Sequence, residues 1–121
     1  KFINHCKEMP LAYSLADVVV SASIEPEAFG RVAVEAQSMG KPIIASNIGG
    51  SKETVLNNKS GFLYKHDDPR ELAKSLNTVI QLNQDELKSM GNEGRKNIIK
   101  KFDVESMCDS TLREYKKLLN I

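Results

Sequence analysis

Three short apolar runs, DVVVSAS at 17–23, PIIAS at 42–46 and FLYK at 62–65, alternate with stretches of helical periodicity. Short runs rich in β-branched and aromatic residues, bounded by turn residues, read as strands. DVVVSAS lacks polar alternation, which suits a strand covered on both faces. Strands separated by helices cannot be joined as hairpins, so the alternation predicts a parallel sheet with crossover connections. The expected class is α/β, with KFI at 1–3 as the tail of a further strand and a helical C-terminal tail.

The helical stretches carry their own punctuation. PLAYSLA places Pro10 in a first turn and Leu11, Leu15 and Ala16 on one face. RVAVEAQSM is stopped by Gly40 and Pro42, and the Gly-rich NIGGS leads into a short helix around KETVLN. DDPRELAKSLNTVIQL opens with Asp68 as N-cap and Pro69 at the first helical position, with Leu72, Leu76, Val79 and Ile80 at helical spacing. Of the two last helices, QDELKSMGNEGRKNIIKKF holds Gly91 and Gly94, which should weaken or bend it, and DVESMCDSTLREYKKLLN has Asp103 as its cap.

A chain of 121 residues is enough for one core and too short for two ordinary domains. No linker-like composition or repeat divides it, so 1–121 is expected to be a single partial domain, with sheet and helices over about 1–82 and C-terminal helices over about 84–120. Lys and Arg number 17 against 16 Asp and Glu, a net charge of +1 that provides no field for holding nucleic acid. Cys6 and Cys108 lie far apart with no metal spacing, so two free, partly buried thiols in a reducing compartment are expected. No run reaches membrane-span length and no signal pattern opens the chain, so a soluble cytoplasmic protein is the expectation. The chain starts at Lys1 in an apolar-flanked segment, which suggests a piece of something longer.

The functional signal lies in EPEAFGRVAVEAQSMGKP, residues 25–42. Its loop follows directly on a predicted strand, at the carboxyl end of a parallel sheet, where ligands collect. Unpaired N–H groups at the following helix start, near Phe29, Gly30 and Arg31, suit an anionic group such as a phosphate, and Gly30 lets it approach. Arg31, Glu35 and Ser38 share one helix face, while Phe29, Val32, Ala33, Ala36 and Met39 supply an apolar remainder expected to be buried. At a rise of about 1.5 Å per residue, Glu35 stands roughly 7 to 8 Å along the axis from Gly30. The structural alternative is a surface Arg31–Glu35 pair, though this order is the less favourable one and a cation in the first turn opposes the helix dipole.

Residues from about 9 to 76 closely resemble the donor-binding half of the retaining glycosyltransferases of family 4, which have the GT-B fold of two facing Rossmann-like domains. The family's Glu-x7-Glu pattern stands here as Glu27 and Glu35 with Phe29-Gly30 between them, preceded by YSLAD and followed by GG, a glutamate and SGFLY. The resemblance implies that Glu35 binds the ribose hydroxyls of a nucleotide-sugar donor and that Glu27, the catalytic candidate, positions the transferred sugar without acting as nucleophile. It implies that the backbone at Phe29, Gly30 and Arg31 faces sugar and diphosphate, and that Gly49 and Gly50 approach the donor, a plain turn being the alternative reading of the two glycines. No cofactor or metal is implied. An Arg and Lys pair that stabilises the leaving diphosphate, and a whole domain that binds the acceptor, a glycan or lipid-linked saccharide, would lie upstream. The sheet of this chain would then have an open edge, and the chain alone is expected to be inactive.

Other features invite weaker readings. HDDP at 66–69 resembles an acidic metal motif, yet cap chemistry accounts for Asp68. His5 and His66 show no partner in sequence. Lys96, Lys100 and Lys101 could touch the inner face of an anionic membrane or form a solvated basic face. Tyr13 and Phe62 read as packing residues. A non-catalytic nucleotide- or sugar-phosphate-binding module is the alternative function, and a bare interaction scaffold a third.

Overall fold

A computed structural model describes residues 1–121. In chain order the elements are α1 (Met9–Leu15), β1 (Val19–Ser21), α2 (Arg31–Ser38), β2 (Ile43–Ser46), α3 (Ser51–Thr54), β3 (Gly61–Tyr64), α4 (Pro69–Ile80), α5 (Gln84–Lys101) and α6 (Val104–Leu119). The sheet is parallel throughout in the order β1-β2-β3, with Val20 opposite Ile44 and Ile44 opposite Phe62.

The central strand β2 is buried at all four positions, as its unbroken apolar run requires. Its alternate side chains divide the core. Ile43 and Ala45 join Tyr13, Ala33, Ala36 and Val55 on one face, and Ile44 joins Tyr64 and Val79 on the other. Burying an isoleucine contributes about 1.5–3 kcal/mol, so β2 is the anchor of both layers.

Helix starts follow the predicted chemistry. The Asp68 carboxylate accepts from the Arg70 and Glu71 N–H groups, and Asp103 accepts from Ser106 N–H. At α5, Asn83 and Glu86 form a reciprocal capping box.

Several expectations are corrected. Residues 1–3 form no strand, and Phe2 and Ile3 are exposed, because no neighbouring strand is there to pair with them. β1 is an edge strand, which leaves Val20 40% exposed instead of covered on both faces. On α1 the buried residue is Tyr13, while Leu11 and Leu15 are exposed. Cys108 is exposed too, on α6, which buries no residue.

Gly91 and Gly94 neither break nor end α5, which runs unbroken from Gln84 to Lys101. They are two of the points at which α5 meets the rest of the domain, beside Asn97, which donates to the Thr54 carbonyl, and buried Ile98. A Cβ on Gly91 would overlap the Gly40 carbonyl, and one on Gly94 would press on Gln37 and Ser60. The propensity lost to glycine is offset by close helix approach. Gln37 itself is fully buried between α2, α3 and α5, where its Nε2 donates to the carbonyls of Ala33 and Thr54.

Candidate functional site

The loops after β1 and β2 meet at the carboxyl end of the sheet. Gly50 N–H donates to the Glu27 carbonyl at 2.9 Å. Gly49 adopts φ +52°, and its α-carbon lies so close to the Glu27 backbone that a Cβ would overlap it. Gly50 lies equally close to the Phe29 carbonyl. The pair of glycines is therefore a seat for the Glu27–Phe29 backbone, which fixes the height of Glu27 above the sheet.

Glu27 is exposed and its carboxylate is oriented by Ser23, whose hydroxyl donates to Oε1 at 2.7 Å. Oε2 makes no hydrogen bond with protein and points toward Gly30, 3.8 Å from where a Cβ would stand. Gly30 is the residue before α2 and is left-handed, with φ +75°. Its carbonyl accepts from the N–H groups of Ala33 and Val34, whereas the N–H groups of Arg31 and Val32 have no protein acceptor. They form the open, partly positive end of a helix beside the free oxygen of Glu27.

Phe29 is half exposed, its ring set edge-on to Phe102 at the end of α5, with centroids 5.9 Å apart. Val32 and Met39 are also partly exposed, so the apolar remainder of α2 narrows to Ala33 and Ala36, with Gln37 between the helices.

Glu35 lies one turn farther along α2. Arg31 donates to its Oε1 from Nε at 3.1 Å and from Nη2 at 2.8 Å. The surface pair that residue order disfavoured does form, because both side chains lie on one open face, and at such exposure it contributes less than about 1 kcal/mol. The other oxygen accepts from Tyr13, O–H to Oε2 at 3.0 Å. Burial first, then the hydrogen bond to Glu35 and its negative charge, push the Tyr13 pKa up to about 12, with the nearby Arg31 opposing. Ser38, on the same face, spends its hydroxyl on the Glu35 carbonyl at 2.7 Å.

The residues assigned to donor binding, Glu27, Phe29, Gly30, Arg31, Glu35, Gly49 and Gly50, lie on the segment from β1 into α2 and on the loop after β2 that packs against it. Tyr13 and Ser23 hold the two carboxylates, and neither carries a motif that marks it for the site. Ser23 lies four residues before Glu27 and was within reach of local reasoning, whereas Tyr13 lies 22 residues before Glu35. Of the remaining candidates, Asp68 is occupied as a cap, His5 and His66 are exposed, and Lys96 pairs with Glu93. No group of three or more His, Cys, Asp or Glu side chains is placed to hold a metal ion. No helix is long and apolar enough to cross a membrane.

The family Glycosyl transferases group 1 matches residues 1–97, four fifths of the chain, including both carboxylates and the glycine loop. The chain belongs to this family. It is 33% identical over 120 residues to the capsular polysaccharide biosynthesis glycosyltransferase CapM of Staphylococcus aureus, covering 93% of this chain and 31% of that protein. A glycosyltransferase structure from Rickettsia africae superposes with a TM-score of 0.87 at 38% identity, over 98% of this chain and 31% of that one. HepE of Anabaena, crystallised with UDP and glucose, gives a TM-score of 0.88 at 30% identity, over 97% of this chain and 32% of its own. These structures establish the α/β architecture as that of GT-B glycosyltransferases, and the chain spans about a third of the length of the relatives it matches.

Proposed function

We propose that this chain is the donor-binding part of a retaining glycosyltransferase, which moves a sugar from a nucleotide-sugar to an acceptor such as a glycan or lipid-linked saccharide. The observation that carries the reading is the unit from Glu27 to Glu35: two oriented carboxylates on either side of a helix start whose first N–H groups are free. A nucleotide-sugar presents hydroxyls at both ends and a diphosphate between them, the same order of chemistry. Membership of the family and the similarity to HepE, crystallised with UDP-glucose, support it.

In this reading the diphosphate rests on the N–H groups of Arg31 and Val32, where the helix dipole favours charge that grows as the leaving group departs. Glu35 accepts from the ribose hydroxyls. Glu27, held by Ser23, accepts with Oε2 from a hydroxyl of the transferred sugar and so orients the anomeric carbon. The bond from that carbon to the diphosphate oxygen breaks as the acceptor oxygen bonds on the same face, and the acceptor proton passes to the leaving phosphate. Neither carboxylate becomes a nucleophile, and no metal is needed. Gly49 and Gly50 act through the seat they form for Glu27 and Phe29. Acceptor binding belongs to sequence beyond this chain, which alone is expected to bind donor without transferring sugar.

An NMR titration of the chain with UDP, GDP, ADP and their sugar conjugates tests the site. Saturable shifts confined to residue 13 and residues 23–38 and 47–51 are expected with at least one nucleotide. Shifts elsewhere, or none with any of them, would contradict the reading.

A further inference from the structure

We infer that Tyr13 is a positioning residue for Glu35: its hydroxyl pins Oε2 and holds the carboxylate in the orientation from which it receives the donor's ribose hydroxyls. The inference rests on the proposed role of Glu35.

The two partners of Glu35 are unequal. Arg31 places both of its bonds on Oε1, and its side chain is 83% exposed. Exposed pairs of this kind hold weakly and lose little when the cation turns into water. Tyr13 is 5% exposed, and its ring is fixed in the cluster with Ala33, Ala36, Ile43, Ala45 and Val55. When a ligand arrives, Arg31 is therefore the partner that yields. An ionised carboxylate offers about four acceptor directions. Tyr13 uses one, so one remains on Oε2 and two open on Oε1 once Arg31 leaves, enough for a vicinal diol. The hydroxyl is a dependable donor because its pKa of about 12 keeps it protonated at every pH at which the chain would work.

Without the hydroxyl, Glu35 keeps Arg31 as its only partner. Nothing then opposes rotation of the carboxylate into a two-oxygen fork with the guanidinium, the stronger arrangement of that pair. A ribose would have to displace that fork instead of meeting an oriented acceptor. The loss falls on hydroxyl recognition and spares contacts to base and diphosphate, which is what separates positioning from mere packing.

The test measures affinities of UDP, GDP and ADP, each against its 2′,3′-dideoxy counterpart, for the unsubstituted chain, Tyr13→Phe and Glu35→Gln. The unsubstituted chain should prefer the best-bound ribonucleotide by about tenfold or more, the range of hydrogen bonds to a charged group. Tyr13→Phe should keep the dideoxy affinity and shrink the preference to about threefold or less, approaching Glu35→Gln. A preference unchanged in Tyr13→Phe would overturn the inference and leave the role of Glu35 standing. No preference in the unsubstituted chain would overturn both. Should Tyr13→Phe lose dideoxy affinity as well, the Tyr13 hydroxyl proton of the unsubstituted chain decides. Its persistence by NMR in the nucleotide complex supports the inference, and its loss on binding overturns it.

Discussion

Gly30 and Tyr13 show how single residues set this site. Gly30 has room for a methyl group, with its nearest neighbour, Ser51 Oγ, at an ordinary 3.5 Å from a Cβ, but it sits at φ +75°. Gly30→Ala should therefore cost about 1–2 kcal/mol through backbone strain alone, read as a lower urea midpoint, and should weaken nucleotide binding by tilting the first turn of α2. Tyr13 links the site to stability. Its folded pKa, about 12, lies above the 10.0 of an unperturbed tyrosine. As pH rises the unfolded chain loses that proton first, so the stabilisation is complete below pH 10 and drains away between pH 10 and 12. Tyr64, raised by burial, acts in the same direction. Urea unfolding at pH 9 and pH 11 should show the decline, and Tyr13→Phe, with no proton to lose there, should reduce it to the part that Tyr64 supplies.

At the scale of elements the decisive contacts are those between helices and sheet. Gly91→Ala is a sharp case because two rules predict opposite signs. Helix propensity alone would stabilise α5 by about 1 kcal/mol. The added methyl would overlap the Gly40 carbonyl, which belongs to backbone and cannot swing aside, so α5 should be forced off α2 at a cost of about 3 kcal/mol or more. Thermal or urea unfolding gives the sign directly. Ile44→Ala, at the centre of β2, should cost about 2–5 kcal/mol by the same measurement. Much of this layer was legible: β2 from its apolar run, α4 from Asp68-Pro69 and α2 from its glycine stop, whereas the carboxylate pair stood out through the family resemblance. What escaped depended on partners distant in sequence. Val20, Leu11 and Leu15 have apolar character without cover, and no local pattern says whether a neighbour exists. Gly91 reads as a helix weakness until Gly40, some fifty residues earlier, is brought against it. Tyr13 reads as packing until Glu35 is placed above it.

At the scale of the chain, a three-stranded α/β unit brings three separate stretches toward the carboxyl end of its sheet, Tyr13, the Ser23–Glu35 loop and helix, and Gly49-Gly50, the surface proposed for the donor. The proposal that the order of groups along that surface follows the order along a nucleotide-sugar is the central claim. It is tested most directly by comparing Glu27→Gln with Glu35→Gln for binding of a nucleoside diphosphate and of its sugar conjugate, by calorimetry on the same chain. The account predicts that Glu35→Gln weakens both ligands by about tenfold, while Glu27→Gln leaves the free nucleotide unchanged and weakens the sugar conjugate alone. Equal losses from both substitutions, or a loss of free nucleotide binding in Glu27→Gln, would contradict the division of labour between the two carboxylates and with it the reading of the site.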